Sequence, residues 1–226
     1  DMWDMGGLKS KMPVTYYTFL AGSLALAGIF PFAGFWSKDE ILYEALVHGL
    51  NDPLLLGGYV MGLLAVPVTA FYTFRMVFLT FHGEPRSDTA RDPVPVRWNV
   101  KGPLTVLGSL AVVTGFINMV PVQKVLGLEG IDLLHLWLDN HWGGIEGLSS
   151  HHYADLSPYS SGYLVGGEVG TVLVGAAVSL GLALLGLGLA WRLYNVASPT
   201  EHTAKLGGIK DVLYNNYYLD ELQVWL

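Results

Sequence analysis

The sequence contains no cysteine, and this absence removes several kinds of chemistry. Without thiolates the chain can form no disulfide and can hold neither a cysteine-ligated zinc ion nor a cysteine-held iron–sulfur cluster. Charge is scarce too, because only 14% of the 226 residues are Asp, Glu, Lys or Arg, against about a quarter in average soluble domains. A net charge of −7 and the lack of a basic stripe argue against nucleic acid as a partner. No Gly-rich dinucleotide loop is present either.

Apolar side chains dominate instead, at 52% of the residues, and the mean hydropathy is +0.42. Four hydrophobic stretches stand out, at residues 13–48, 57–81, 103–120 and 165–194. At about 1.5 Å per residue, the last three are close to or above the length that a hydrocarbon core of roughly 30 Å requires. We therefore predict an all-α, polytopic membrane helix bundle with about four transmembrane spans. The other segments would be a cytoplasmic connector at 1–12, a cytoplasmic loop at 82–102, an acidic external loop at 121–164 and a cytoplasmic segment at 195–226.

The first stretch could be two short spans or one broken span, and the loop charges bear on that choice, since cytoplasmic loops collect Lys and Arg. Positive residues cluster before the first stretch, after the second and after the fourth: Lys9, Lys11, Arg86, Arg91, Arg97, Lys101, Arg192, Lys205 and Lys210. In the two remaining loops, Lys124 is the only positively charged residue. Two crossings stay possible, but they would put Lys9 and Lys11 on the acidic side. We predict one discontinuous span over residues 13–48.

The break in that span is predicted at residues 30–34. Pro31 cannot donate to the helical ladder and biases the residue before it away from the α region, while Gly34 tolerates almost any backbone angle. The sequence Ser37-Lys38-Asp39-Glu40 fits a capping box, so a second helix should start at Ser37. Irregular backbone at membrane depth is tolerated only where protein or water surrounds it, so the break would mark a hydrated pathway.

Lys38, Asp39 and Glu40 directly follow a long apolar run. Charges in a bilayer are costly and usually functional, so we expect an intramembrane proton or ion site. At a helix start, the dipole and partial desolvation would favour the neutral form of Lys38, whereas the neighbouring carboxylates would favour its ammonium form. A lysine poised in this way could load and release a proton. The alternative is an ordinary helix start at a water interface, capped by Ser37.

Three blocks of sequence resemble a known family. They occupy residues 28–42, residues 72–76 with 81–84, and residues 214–222. In this order they resemble the carboxy-terminal half of the antiporter-like subunits, called chain 5 or subunit L, of NADH-quinone oxidoreductase, respiratory complex I. The resemblance implies that Lys38 is the lysine on a broken helix in a proton channel and that Asp39 is its acidic neighbour. It also implies a carboxy-terminal fragment that ends where a long lateral helix would begin.

The resemblance further implies proton translocation coupled to electron transfer from NADH to quinone. The chain would be a multi-pass protein of a bacterial plasma membrane, with other membrane-arm subunits and the lipid bilayer as partners. NADH, flavin, iron–sulfur clusters and quinone would be bound by those other subunits, and this chain would bind no cofactor and no metal. Two alternatives stay open: the large subunit of a multisubunit sodium/proton antiporter, and a membrane scaffold without transport of its own.

Other polar residues have competing interpretations. Glu44 and His48 follow Glu40 at intervals of four, so a row on one helix face could continue a polar path outward, although a wetted helix end explains His48 equally well. Arg75 could lie near the channel, or it could snorkel or pack. Glu168 in a first helical turn needs no function. The loop histidines have spacings that match no metal motif: His135, His141, His151 and His152.

Overall fold

The computed structural model describes residues 1–117, 162–164 and 166–200, with isolated positions between 119 and 133 and between 207 and 223. Every regular element in these residues is helical, which confirms the predicted all-α class. The α-helices are α1 (Pro13–Ala27), α2 (Ala33–Gly49), α3 (Pro53–Phe81), α4 (Asp88–Arg91), α5 (Trp98–Val113) and α6 (Gly167–Tyr194). Short 3-10 helices span Met2–Asp4 and Thr114–Ile117. The four loop histidines and most of the third resemblance block lie outside the described residues.

Local signals explain where the long helices begin. Asp52 caps α3, because its Oδ1 accepts from the amides of Leu54 at 2.8 Å and Leu55 at 3.3 Å, and Pro53 occupies the first helical position. Helix α3 therefore starts four residues before the apolar run at residue 57 and ends at Phe81. Helix α5, by contrast, starts at Trp98, five residues before the apolar run that begins at residue 103, and Arg97 at its N-cap makes no side-chain capping bond.

Three described helices are long and apolar enough to cross a membrane: α3, α5 with its 3-10 extension, and α6. Helices α1 and α2, with 15 and 17 residues, are each too short but lie end to end along α3. The ring of Tyr16 on α1 packs with its centroid 5.3 Å from that of Phe81, at one end of α3. Gly49 of α2 lies against the backbone of Leu56, at the other end of α3. Together α1 and α2 form one discontinuous span, which confirms the predicted bundle of about four spans.

The described spans alternate in direction along the chain, as a single crossing by α1 and α2 requires. Helix α5 runs parallel to the span formed by α1 and α2, whereas α3 and α6 run parallel to each other and opposite to α5. Contacts between the helices show these directions. Going along α5 and its 3-10 extension, Gly108 lies against Thr18 of α1 and Gly115 against Trp36 of α2. Going along α6, Gly186 lies against Pro67 and Trp191 against Phe78, both of α3.

The positively charged segments meet at one end of the bundle, which we call the basic end and define as residues 1–12, 82–101 and 192–197. Arg86 donates from Nε to the carbonyl of Trp3 at 2.7 Å and from a terminal nitrogen to Met2 at 3.0 Å and to Leu79. Burial lowers the pKa of the Arg86 guanidinium, an effect that the nearby charge of Asp4 opposes. These contacts fasten the amino-terminal segment to the loop after α3.

His82 joins three helices at the same end. Its Nε2 lies 3.2 Å from the Tyr16 hydroxyl of α1, and its Nδ1 lies 2.8 Å from Oδ1 of Asn195, which follows α6. A neutral imidazole satisfies both contacts by donating from one nitrogen and accepting at the other. The second block of the family resemblance therefore has a structural role at the basic end.

Candidate functional site

The break lies between α1 and α2, at residues 28–32. Helix α1 ends at Ala27 because Gly28 adopts the left-handed conformation, with φ 75° and ψ 40°, and returns its amide to the carbonyls of Leu24 and Ala25. The peptide bond between Phe30 and Pro31 is cis. The first half of the span thus ends three residues before the predicted stop near Phe30.

The capping box predicted at Ser37 is wrong. Ser37 is the fifth residue of α2, and its side chain is exposed. The helix begins earlier because the residues before Ser37 fit their neighbours in helical form. Gly34 packs so closely on Ala25 that a Cβ there would lie 1.8 Å from the Ala25 carbonyl oxygen, and Trp36 donates from Nε1 to the Pro31 carbonyl at 3.0 Å.

Lys38 consequently lies in the second turn of α2, and its half-buried side chain reaches back to the end of α1. Its Nζ donates to the carbonyl of Leu26 at 3.4 Å, and its Cδ would lie 3.2 Å from a Cβ added at Gly28. The Leu26 carbonyl is among the last four of α1, which have no partner in their own helix. The carbonyl end of a helix favours a cation, so the dipole effect at Lys38 is opposite in sign to the one expected from sequence.

Asp39 faces a different neighbour, helix α6. Its side chain is 7% exposed, and its Oδ1 accepts a hydrogen bond from the hydroxyl of Ser179. Its Oδ2 is buried and has no hydrogen-bond partner within the described part of the chain. Adjacent residues of a helix point about 100° apart, so Lys38 and Asp39 reach separate helices, and no ion pair between described residues joins them.

Sequence reasoning missed Ser179, although one signal was available. Ser179 is the single hydroxyl residue in the otherwise apolar run 172–191 of α6. It stands 12 residues after Gly167 and 15 before Tyr194, so it lies roughly 18 Å from one end of the helix and 22 Å from the other. Because Asp39 bonds Ser179, Lys38 and Asp39 lie level with the middle of the apolar helix α6, although they stand in the second turn of α2.

The predicted polar row of Glu40, Glu44 and His48 runs from the middle of α2 toward its end. Glu40 is half-buried, while Glu44 is exposed and places Oε2 3.4 Å from Nε2 of His48 one turn later. Tyr43, which precedes Glu44, donates from its hydroxyl to Oε1 of Glu168 at 3.4 Å and so ties α2 to the first turn of α6. Glu168, which as an acidic residue in a first helical turn needs no function, thus has a defined partner.

Arg75 lies near the basic end of the bundle. Its guanidinium stands over the rings of Trp3 at 5.8 Å and Tyr194 at 5.4 Å, near the basic end. These contacts give Arg75 an aromatic packing partner on each side, while its role near the channel stays a prediction.

A cavity of about 340 Å³ lies between α1, α3 and α5. Besides apolar groups, its lining includes the hydroxyl side chains of Thr15, Thr18, Ser23 and Thr73. The Oγ1 atoms of Thr15 and Thr73 are buried without a hydrogen-bond partner in the described residues. Leu26, whose carbonyl accepts from Lys38, also lines this cavity. The cavity thus extends along α1 from near the basic end to the break. In the described ranges no group of three or more His, Asp or Glu side chains could hold a metal ion.

Residues 1–72, which include the break and Lys38, match the transmembrane family described as NADH:quinone oxidoreductase/Mrp antiporter. NADH-quinone oxidoreductase subunit L of Rickettsia bellii is 38% identical over 143 residues, which cover 60% of this chain and 21% of the relative. NAD(P)H-quinone oxidoreductase chain 5 of a Picosynechococcus strain is 33% identical over 241 residues, which cover 98% of this chain and 32% of the relative. An organellar subunit 5 of Paulinella chromatophora is 39% identical over 140 residues, which cover 52% and 20%. The chain spans about a fifth to a third of the length of these curated relatives.

Proposed function

This chain belongs to the membrane family of NADH:quinone oxidoreductases and Mrp antiporters, and on that basis we propose that it moves protons in the membrane arm of an NADH-quinone oxidoreductase. The observation that carries the proposal is the position of Lys38 and Asp39, at a helix break and near the middle of the spans. Ionisable residues at such depth are costly, and discontinuous helices often supply the ion sites of membrane transporters.

In this proposal Lys38 is the proton-loading group. Its ammonium form is supported by the carbonyl end of α1, while its half-buried position limits the hydration that would hold the charge in place. Asp39 and Glu40 modulate the balance through their charges. Because Asp39 bonds Ser179 and not Lys38, either group can change its protonation state without first breaking an ion pair between the two.

The cavity beside α1 supplies an approach to Lys38 from the basic end. Buried hydroxyls that lack a partner are commonly satisfied by ordered water, and a cavity of about 340 Å³ has room for several water molecules. Thr15 lies toward the basic end, and Leu26 lies beside Lys38. A chain of water between them would connect the lysine to the aqueous phase on that side.

Under the proposal, this chain carries out no redox chemistry. NADH, flavin, iron–sulfur clusters and quinone belong to partner subunits, and this chain binds no cofactor. Its partners are the other membrane-arm subunits and the lipid bilayer, and its location is a bacterial plasma membrane. Copurification of the intact subunit with its neighbours tests this assignment, because a sodium/proton antiporter would bring no NADH-oxidising partner with it.

The test of the function is Lys38→Ala in the intact complex, in inverted membrane vesicles that report both NADH oxidation and proton uptake. We expect proton uptake driven by NADH to fall by more than half. The matched control is Lys101→Ala, which removes the same charge from α5 at the basic end and should leave uptake unchanged. Normal uptake by the Lys38→Ala complex would show that the lysine carries no proton. Undiminished uptake with Lys38→Gln or Lys38→Met as well would favour the scaffold.

A further inference from the structure

The contact between α2 and α6 gives Ser179 a role that depends on its hydroxyl proton. We infer that Ser179 is a positioning residue that serves both protonation states of Asp39, so that the buried carboxyl group can gain and lose a proton in place. The inference deepens the proposed function and rests on it, because it assumes that Asp39 takes part in proton movement.

The hydroxyl of Ser179 has one proton and two acceptors within reach. One acceptor is Oδ1 of Asp39, and the other is the carbonyl of Ala176 in its own helix, at 3.3 Å. A serine hydroxyl can donate one hydrogen bond and accept two. When Asp39 is ionised, Ser179 donates to the carboxylate. When Asp39 is protonated, its O–H donates to the Ser179 oxygen, and the serine proton turns to Ala176. Ser179 keeps its one proton in both states, and a single proton enters or leaves at Asp39.

The surroundings leave Asp39 dependent on this partner. Asp39 is 7% exposed and Ser179 is 3% exposed, so water cannot readily replace the contact. Oδ2 of Asp39 has no partner in the described residues, so a proton held there would find no acceptor among them. Burying a carboxylate or a carboxyl group without a hydrogen bond is costly, and Ser179 supplies the bond in both states.

Other titratable groups near the contact are few. Lys38 is the charged side chain whose field acts on Asp39, and Glu40 and Tyr43 follow on the same helix. The titratable side chains on the helices packed against α2 are Tyr16 and Tyr17 on α1, Tyr59, Tyr72 and Arg75 on α3, Lys101 on α5, and Glu168, Arg192 and Tyr194 on α6. Of these, Glu168 is engaged by Tyr43 and Arg75 stands at the basic end.

The experiment follows the carboxyl C=O band of Asp39 by infrared difference spectroscopy of the intact complex across pH, with Asp39→Asn to assign the band. Ser179→Ala removes a hydrogen bond from both forms of Asp39, but the bond to the charged carboxylate is the stronger of the two, so the midpoint of protonation should rise by about one pH unit, a tenfold change. Proton uptake at neutral pH should fall with it. Ser179→Thr keeps the hydroxyl and should restore both. The control is Ser109→Ala on α5, whose exposed hydroxyl donates to the Thr105 carbonyl.

Equal midpoints in the wild type and in Ser179→Ala would overturn the inference and leave Ser179 a packing residue. If Ser179→Ala does not assemble, Ser179→Cys keeps a similar volume with a weaker donor, and a smaller upward movement is then expected. The proposed function is tested separately by Asp39→Asn. Full proton uptake by that variant contradicts the use of Asp39, whereas lost uptake together with an unmoved midpoint in Ser179→Ala contradicts only the inference.

Discussion

Replacing Gly34 with alanine should push apart the two halves of the discontinuous span. A Cβ at Gly34 would lie 1.8 Å from the carbonyl oxygen of Ala25 and 2.8 Å from its carbonyl carbon. Contacts below 3.0 Å essentially do not occur, and both obstacles are backbone atoms that cannot rotate away. Helix α2 would therefore have to move from α1 by at least about 1.2 Å, the kind of overpacking that core substitutions produce.

That displacement bears directly on the lysine. The hydrogen bond from Lys38 to Leu26 is already 3.4 Å long, and a further opening of about 1 Å would break it. Overpacking of this kind typically costs about 1–3 kcal/mol of stability. A misplacement of about 1 Å at a reacting group can lower a rate by up to about 100-fold. We therefore expect a large loss of proton uptake together with a lower melting temperature.

The assay compares proton uptake per NADH oxidised in inverted vesicles, with the thermal stability of the purified complex as a second measurement. Gly58→Ala is the matched control, because nothing lies within 4 Å of a Cβ at that position of α3. Alanine in place of glycine inside a helix is favourable by up to about 1 kcal/mol, so this control should pump normally and be no less stable. Gly34→Ala vesicles that behave like the Gly58→Ala vesicles would refute the close approach of α1 and α2.

Three further substitutions test the packing around the site. Gly186→Ala should destabilise the complex by about 1–3 kcal/mol, because its Cβ would lie 2.3 Å from the Pro67 carbonyl oxygen. Gly188→Ala places its Cβ in open space and should not destabilise the complex. Thermal unfolding of the two variants measures the difference. Arg86→Lys should lose at least one of three bonds to backbone carbonyls, at about 1.5–3 kcal/mol each, and limited proteolysis should then cut within residues 1–12 faster. Asp52→Ala should cost about 1 kcal/mol through the lost cap of α3, and Asp52→Asn should retain most of it.

Hydropathy and loop charge predicted much of this fold because both act along the chain. Apolar runs identified the long spans, and the alternation of positive loops favoured a single crossing by the first stretch. Helix starts were less predictable. Asp52 and Pro53 form a recognisable start signal, yet they lie outside the apolar run and therefore outside the predicted span. Helix α5 likewise begins five residues before its apolar run, in a first turn that contains Asn99 and Lys101.

The candidate site was predictable only in part. The sequence identified Lys38 and Asp39 as costly charges, but it assigned the helix start to Ser37 because local capping rules consider a few adjacent residues. The actual start depends on Gly34 meeting Ala25 across the break, a tertiary contact. The partner of Asp39 is 140 residues away along the chain, and no local pattern links a buried aspartate to a lone serine in a distant helix.

The depth of the break also has an electrical consequence. Asp39 contacts the middle of α6, so under the proposed function, in which α6 crosses the membrane, Lys38 would lie about halfway between the two membrane surfaces. A unit charge that crosses a whole membrane works against about 2.3 kcal/mol for each 100 mV of potential. A proton that travels between Lys38 and either surface would therefore cross about half of that voltage, or about 1.2 kcal/mol per 100 mV. Loading and release at this lysine would share the membrane potential almost equally, so both steps would slow as the potential rises.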